Sequence, residues 1–169
     1  NDTIDTFSLT LKNISTSTEE TIIGTAFPNR IFDVSIFGSS VFYLQNTSTG
    51  SSGVISNFDG TKKKEIWNSP MKELTSQYIN EKTILLNTKP LEGVNGFLYS
   101  IDTTTGGVKK ILSGLGLVSI TNSDLSMILY LTQGSSVNLF VFNTKTKTSL
   151  GVSPATFPEK CIWGIKDKT

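Results

Sequence analysis

One recurrence constrains this chain more than any other feature. Stretches of alternating apolar and polar residues begin at Ile31, Leu74, Val118 and Cys161, at spacings of 43, 44 and 43 residues. A turn sequence follows each: "FGSS" at Phe37–Ser40, "INEK" at Ile79–Lys82, "NSDLS" at Asn122–Ser126 and "IKDKT" at Ile165–Thr169. Three dense β-forming stretches come next, "VFYLQ" from Val41, "TILLNT" from Thr83 and "MILYLT" from Met127. The junction "AFPNRIFDV" at Ala26–Val34 returns as "TFPEKCIWG" at Thr156–Gly164, and its Phe-Pro pairs lie 130 residues apart, three periods. A period this long, kept by independent features, marks a repeat architecture.

Each period holds four short strands. After the dense stretch comes a loop rich in Gly, Ser and Asn, then "GVISNF", "GFLYSI" or "NLFVF". Each of these runs into a turn at Asp59-Gly60, Asp102-Thr103 or Asn143-Thr144, and a last strand follows as "KKEIW", "VKKIL" or "KTSLG". The strands are too close together for helical crossovers, and no segment repeats with a helical period. The spacing predicts an all-β chain of β-propeller blades, four-stranded antiparallel units at 31–73, 74–117 and 118–160, with no helix longer than about two turns. Residues 1–30 read as the last two strands of a preceding blade, and residues 161–169 as the first strand of a following one. About three and a half blades are thus expected. The opening alternates like the middle of a strand, so the chain is expected to be cut from something longer. The other closure is a four-bladed ring in which Cys161–Thr169 pairs with Phe7–Leu11. Expected core positions are Phe42, Leu44, Leu85, Ile128 and Tyr130 on the second strands. On the third strands they are Val54, Phe97, Tyr99, Leu139 and Val141.

The unit resembles the WD40-like (TolB-type) β-propeller repeat. "IWGIKDK" at Ile162–Lys168 is similar to the end of that repeat's first strand. "TNSDLSMILYL" at Thr121–Leu131 is similar to its turn and second strand, and "FLYSIDTTTGGVKKIL" at Phe97–Leu112 to its third and fourth strands. The motifs are degenerate. Trp stands in one first strand of four, and the Ser-Pro-Asp-Gly of the family in none. The resemblance implies the fold and leaves the activity open.

Composition removes several chemistries. Without histidine, neither a Ser-His-Asp nor a Cys-His arrangement can be built, and the commonest metal ligand is missing. Cys161 is the single cysteine, so neither an intrachain disulfide nor a thiolate cluster is available. It reads as a small core residue. Asp59, Asp102, Asp124 and Asp167 stand where turns use an Asp side chain against their own backbone. "GLGLVS" at Gly114–Ser119 reads as a turn. Lys62, Lys63, Lys64, Lys109, Lys110, Lys145 and Lys147 fall in one phase of the repeat, which suits protection of a sheet edge. A net charge of +1 gives no footprint for nucleic acid. No apolar run is long enough to insert this segment into a membrane as a helix.

What remains is a scaffold. Loops between last and first strands, and between second and third strands, share one end of a propeller and carry the variable residues. The expected binding-face residues are Phe27, Arg30, Met71, Leu115, Leu117, Phe157 and Glu159. The stretches Asn46–Ser52, Lys89–Asn95 and Gln133–Ser136 accompany them. First strands line a propeller channel, and here they offer Asp33, Ser35, Gln77, Ser119 and Thr121, a polar set with one acid. The expectation is a non-catalytic module for a protein or glycan partner, with no catalytic residue, no cofactor and no metal. The remaining blades of the same propeller are further expected partners. The alternative is part of a propeller hydrolase or lyase whose active site lies partly outside this chain. Ser, Thr and Asn make up 56 of 169 residues; with low charge and TolB-like repeats, this composition leans towards an extracytoplasmic, bacterial location.

Overall fold

The second strand of each repeat decides how the sheets are buried. Successive strand residues point to opposite faces. In "VFYL" the four residues Val41, Phe42, Tyr43 and Leu44 are all buried, as are Ile84, Leu85, Leu86 and Asn87 in the next repeat. Ile128, Leu129 and Leu131 follow in the third. Strands covered on both faces must lie inside layered sheets. Each fully buried Leu or Phe contributes about 1.5–3 kcal/mol.

The computed structural model describes residues 30–164 throughout, and before them the backbone of two strands. These are β1 (Leu9–Lys12) and β2 (Glu19–Ile22), paired antiparallel with Leu9 opposite Ile22. Three four-stranded sheets follow. The first is β3 (Ile31–Phe37), β4 (Ser40–Asn46), β5 (Ser51–Asn57) and β6 (Lys64–Ser69), in that order. The middle sheet is β7 (Leu74–Asn80), β8 (Thr83–Thr88), β9 (Asn95–Asp102) and β10 (Val108–Leu115). The third is β11 (Val118–Thr121), β12 (Met127–Gln133), β13 (Val137–Asn143) and β14 (Thr148–Val152). Chain neighbours are sheet neighbours throughout, as in propeller blades. The first strands start at Ile31, Leu74 and Val118, where the repeat places them. Among the described residues the only helix is a 3₁₀ turn at Pro158–Lys160. Cys161–Gly164 continues outside any strand, and residues 165–169 lie outside the described residues.

The chain divides into two compact units. One is Asn1–Ile84 with Ile101–Gly107, and the other is Leu85–Ser100 with Val108–Thr169. The first holds the β3–β6 sheet, the second the β11–β14 sheet, and strands of the middle sheet are shared between them.

Turn chemistry repeats with the strands. Asp102 Oδ1 accepts the N–H groups of Thr104 and Thr105, both at 2.9 Å. Asn143 Oδ1 accepts those of Lys145 (2.9 Å) and Thr146 (3.0 Å) in the same way. The next residue then closes the turn between the first two strands. Thr103 Oγ1 donates to the Glu81 carbonyl, and Thr144 Oγ1 to the Leu125 carbonyl, each at 2.6 Å. At the tightest point of these turns stand Gly106 (φ 73°) and Lys147 (φ 61°). Glycine is required at the first, because a Cβ on Gly106 would lie 2.6 Å from the Ile66 carbonyl oxygen.

The core expectation needs one correction. Phe42, Leu44, Leu85, Ile128, Val54 and Leu139 are buried, but Phe97, Tyr99, Tyr130 and Val141 are only half-buried. Leu98, Ile101 and Phe142 take the buried third-strand positions. The half-buried rings pair with one another across the sheet surface. Tyr130 stacks on its cross-strand partner Phe140 at 5.2 Å, and Phe97 lies 6.0 Å from Tyr99.

Candidate functional site

Segments that border the loops are tied together by hydrogen bonds to backbone carbonyls. In the first unit the Asn46 N–H donates to the Arg30 carbonyl at 3.0 Å. Ser51 Oγ donates to the Met71 carbonyl at 2.6 Å. In the second unit the Gly116 N–H donates to the Val94 carbonyl at 2.8 Å. Each bond joins the segment before a first strand to the loop between second and third strands or to a strand residue that borders it. Gly116 needs its φ of 56° to make this turn, and a Cβ there would come within 2.9 Å of Gln133 Cβ.

The expected loop residues divide. Arg30, Leu115, Phe157 and Glu159 are exposed and Met71 is half-exposed. Leu117 is fully buried, which removes it from any binding surface. It packs over Gly96, where a Cβ would sit 3.0 Å from Leu117 Cβ. Phe27 lies outside the described residues. Two residues not singled out by type stand out by exposure, Leu91 at 64% and Val94 at 50%. Leu115, 41% exposed, precedes Gly116, and the Val94 N–H donates to the Leu91 carbonyl at 3.1 Å, so backbone hydrogen bonds link the three positions. The signal in the sequence was the pair of apolar residues inside a loop carrying Lys89, Pro90, Glu92 and Gly93.

The first-strand polar residues are engaged. Asp33 Oδ2 accepts hydrogen bonds from the Ser76 N–H (2.7 Å) and the Ser76 hydroxyl. Ser35 and Ser76 share a hydroxyl–hydroxyl bond of 2.8 Å. Burial pushes the Asp33 carboxyl above its ordinary range, and the two Ser76 hydrogen bonds partly offset that rise. In the second unit Ser119 Oγ donates to Asn87 Oδ1 at 2.7 Å. Asp33, Ser76 and Ser119 stand 43 residues apart, one per repeat.

Other sequence candidates take structural roles. The exposed carboxylates of Asp59 and Asp102 are held below the ordinary range by turn hydrogen bonds. For Asp59 these come from the Thr61 hydroxyl and N–H, and for Asp102 from the Thr105 and Thr104 N–H groups. Asp124 Oδ1 accepts the Ser126 N–H at 2.9 Å, and Asp167 lies outside the described residues. Cys161 packs half-buried against Leu129, Leu131 and Leu139 together with Trp163. Lys110 lies 5.8 Å from the Phe97 ring centre, and Lys147 the same distance from that of Phe142. Among the described residues no group of three or more acidic or Cys side chains is arranged to hold a metal ion.

No protein-family model matches the chain, and no curated protein matches it. Solved structures do. TolB from Acinetobacter baumannii is 17% identical, with a TM-score of 0.65 over 89% of this chain and 39% of its own. An oligogalacturonate lyase from Vibrio parahaemolyticus is 17% identical, with a TM-score of 0.55 over 85% of this chain and 42% of its own. A chain of a nidogen–laminin complex is 7% identical, with a TM-score of 0.57 over 82% of this chain and 52% of its own. This chain therefore spans between about two fifths and one half of each. At these identities the likeness concerns the fold alone. A fold shared by a lyase and by a chain of a protein–protein complex carries no activity with it. The three sheets have the β-propeller fold, distantly similar to TolB and other propellers.

Proposed function

We propose that the chain is a non-catalytic propeller module that binds a protein or glycan partner through its loop end. The observation that carries this reading is the exposed group of Leu91, Val94 and Leu115 fixed on the Gly116–Val94 hydrogen bond. Exposed aliphatic side chains on a rigidly tied loop suit a partner surface, and of the two classes they suit a protein better. Acid–base chemistry usually employs paired carboxylates or a base free to accept a proton. Asp33 is the only acid on the three first strands, and its Oδ2 is occupied by Ser76.

The same reading takes β1 and β2 as the end of a preceding blade, and residues 161–169 as the start of a following one. The greater length of the matched propellers supports this. An extracytoplasmic, bacterial location agrees with the Ser-, Thr- and Asn-rich, weakly charged composition.

Protein and glycan arrays probed with the native chain and with a Leu91→Glu/Leu115→Glu variant test the binding surface. Both positions are exposed, so the variant should fold. Native-specific signals that disappear in the variant are expected. Equal signals from both proteins, or none from either, would count against the proposal.

A further inference from the structure

We infer that β14 is a self-association edge through which two copies of this chain pair antiparallel. Each sheet ends on an edge strand, and the three edges differ in charge. Lysine on an edge discourages pairing with another sheet. β6 carries Lys64 and Glu65, and β10 carries Lys109 and Lys110. β14 reads TSLGV and has no charge, and all five of its residues are exposed.

The face beside this edge is apolar. Leu150 stands opposite Val141, and Val152 opposite Leu139, so both extend the face built on Leu129, Leu131 and Leu139. Cys161 and Trp163 pack on the buried part of that face. Towards the edge it is open: Leu150 is 74% exposed, Val137 49% and Val152 37%.

A second copy fits this strand by symmetry and by charge. An isologous contact must be self-complementary about its axis. With Leu150 opposite the partner's Leu150, Thr148 meets Val152, Ser149 meets Gly151, and Lys147 meets Ser153. Like charges never face each other in this register. Pro154 follows after Ser153 and, having no N–H to donate, stops the pairing there. The joined edges make one continuous sheet, with the two Leu150 side chains in contact across the join.

Sedimentation velocity on the full chain over a wide concentration range is the first test, and a monomer–dimer equilibrium is expected. Leu150→Lys should weaken the dimer about tenfold or more, since two lysines would then oppose each other. The side chain is exposed, and circular dichroism checks that the variant is folded. A Cys161→Ser/Leu150→Cys variant should form a disulfide-linked dimer on oxidation. Opposed residues of antiparallel strands stand about 4.5–5.5 Å apart at Cα, within disulfide reach. A native chain that is monomeric throughout overturns the inference. So does an oligomer that Leu150→Lys leaves intact, or a cysteine variant that fails to cross-link.

Discussion

Ser119 donates a 2.7 Å hydrogen bond to Asn87 and thereby joins β11 of the third sheet to β8 of the middle one. Both side chains are buried, Asn87 on the face of β8 that carries Leu85, and Ser119 on the face that carries Ile128 in β12. Asn87→Ala would leave the Ser119 hydroxyl without this acceptor, at a cost of about 1–3 kcal/mol. Ser119→Ala should cost a similar amount. The double variant should cost clearly less than the two singles together, because the pair is lost once. Urea unfolding of the four proteins measures the coupling; additive effects would show that the bond contributes little.

Burial separates two phenylalanines of the repeat. Phe42 is fully buried, so Phe42→Ala should destabilise by about 3–5 kcal/mol. Phe97 is half-buried beside Tyr99 and Lys110, and Phe97→Ala should cost about 1–2 kcal/mol. Denaturant midpoints rank them. Equal losses would place Phe97 in the core after all.

The turn between third and fourth strands offers a stabilising change. Lys147 holds φ at 61°, where Gly106 stands in the middle sheet. A side chain in this conformation costs about 1–2 kcal/mol. Lys147 itself is exposed, and its contact with the Phe142 ring returns only about 0.5 kcal/mol. Lys147→Gly should therefore stabilise by about 0.5–1 kcal/mol. Asn143→Ala, which removes the acceptor for two turn N–H groups, should destabilise by about 1 kcal/mol. Thermal melts should move in opposite directions for the two variants.

Asp33 sets a pH dependence of definite sign. Its folded pKa is raised above the ordinary 3.8, chiefly by burial. Across the interval from the ordinary value to the raised one, the folded state holds the proton more tightly than the unfolded state. The Asp33 contribution to stability is therefore greatest below that interval and falls as pH rises through it. Asp33→Asn keeps an oxygen acceptor for Ser76 without the charge, so it should lose this component and gain relative stability towards neutral pH. Asp59 and Asp102 act with the opposite sign. Their pKa values are lowered, so what they contribute is present above the ordinary carboxylate range and falls away as pH drops below it. Stability profiles of native chain and Asp33→Asn, differenced over acid to neutral pH, isolate the Asp33 component. A difference that widens in the native chain's favour as pH rises would contradict the assignment.

The repeat was legible because its causes are local. Period-two alternation and turn residues are read along the chain, and they placed the starts of β3, β7 and β11 at the residues observed. Burial within the third strands was not legible, since a dense run such as "GFLYS" does not say which face meets another sheet. Leu98 is buried there and Phe97 only half-buried. Leu117 was assigned to a surface loop by position, but the turn folds back over Gly96 and closes on it. Asp33 and Ser76 share a phase of the repeat in the sequence, but only the fold brings them into contact. The exposure of Leu91 and Val94 likewise depends on how their loop is tied to Gly116.

Hydrogen–deuterium exchange followed along the chain tests the repeat itself. Amides in central, doubly covered strands exchange only on extensive opening, whereas edge amides exchange through local fraying. Protection should peak three times, in β4, β8 and β12, about 43 residues apart, and fall between the peaks towards β6, β10 and β14. A protection pattern without that threefold recurrence, or with its maxima on the edge strands, would contradict the blade architecture.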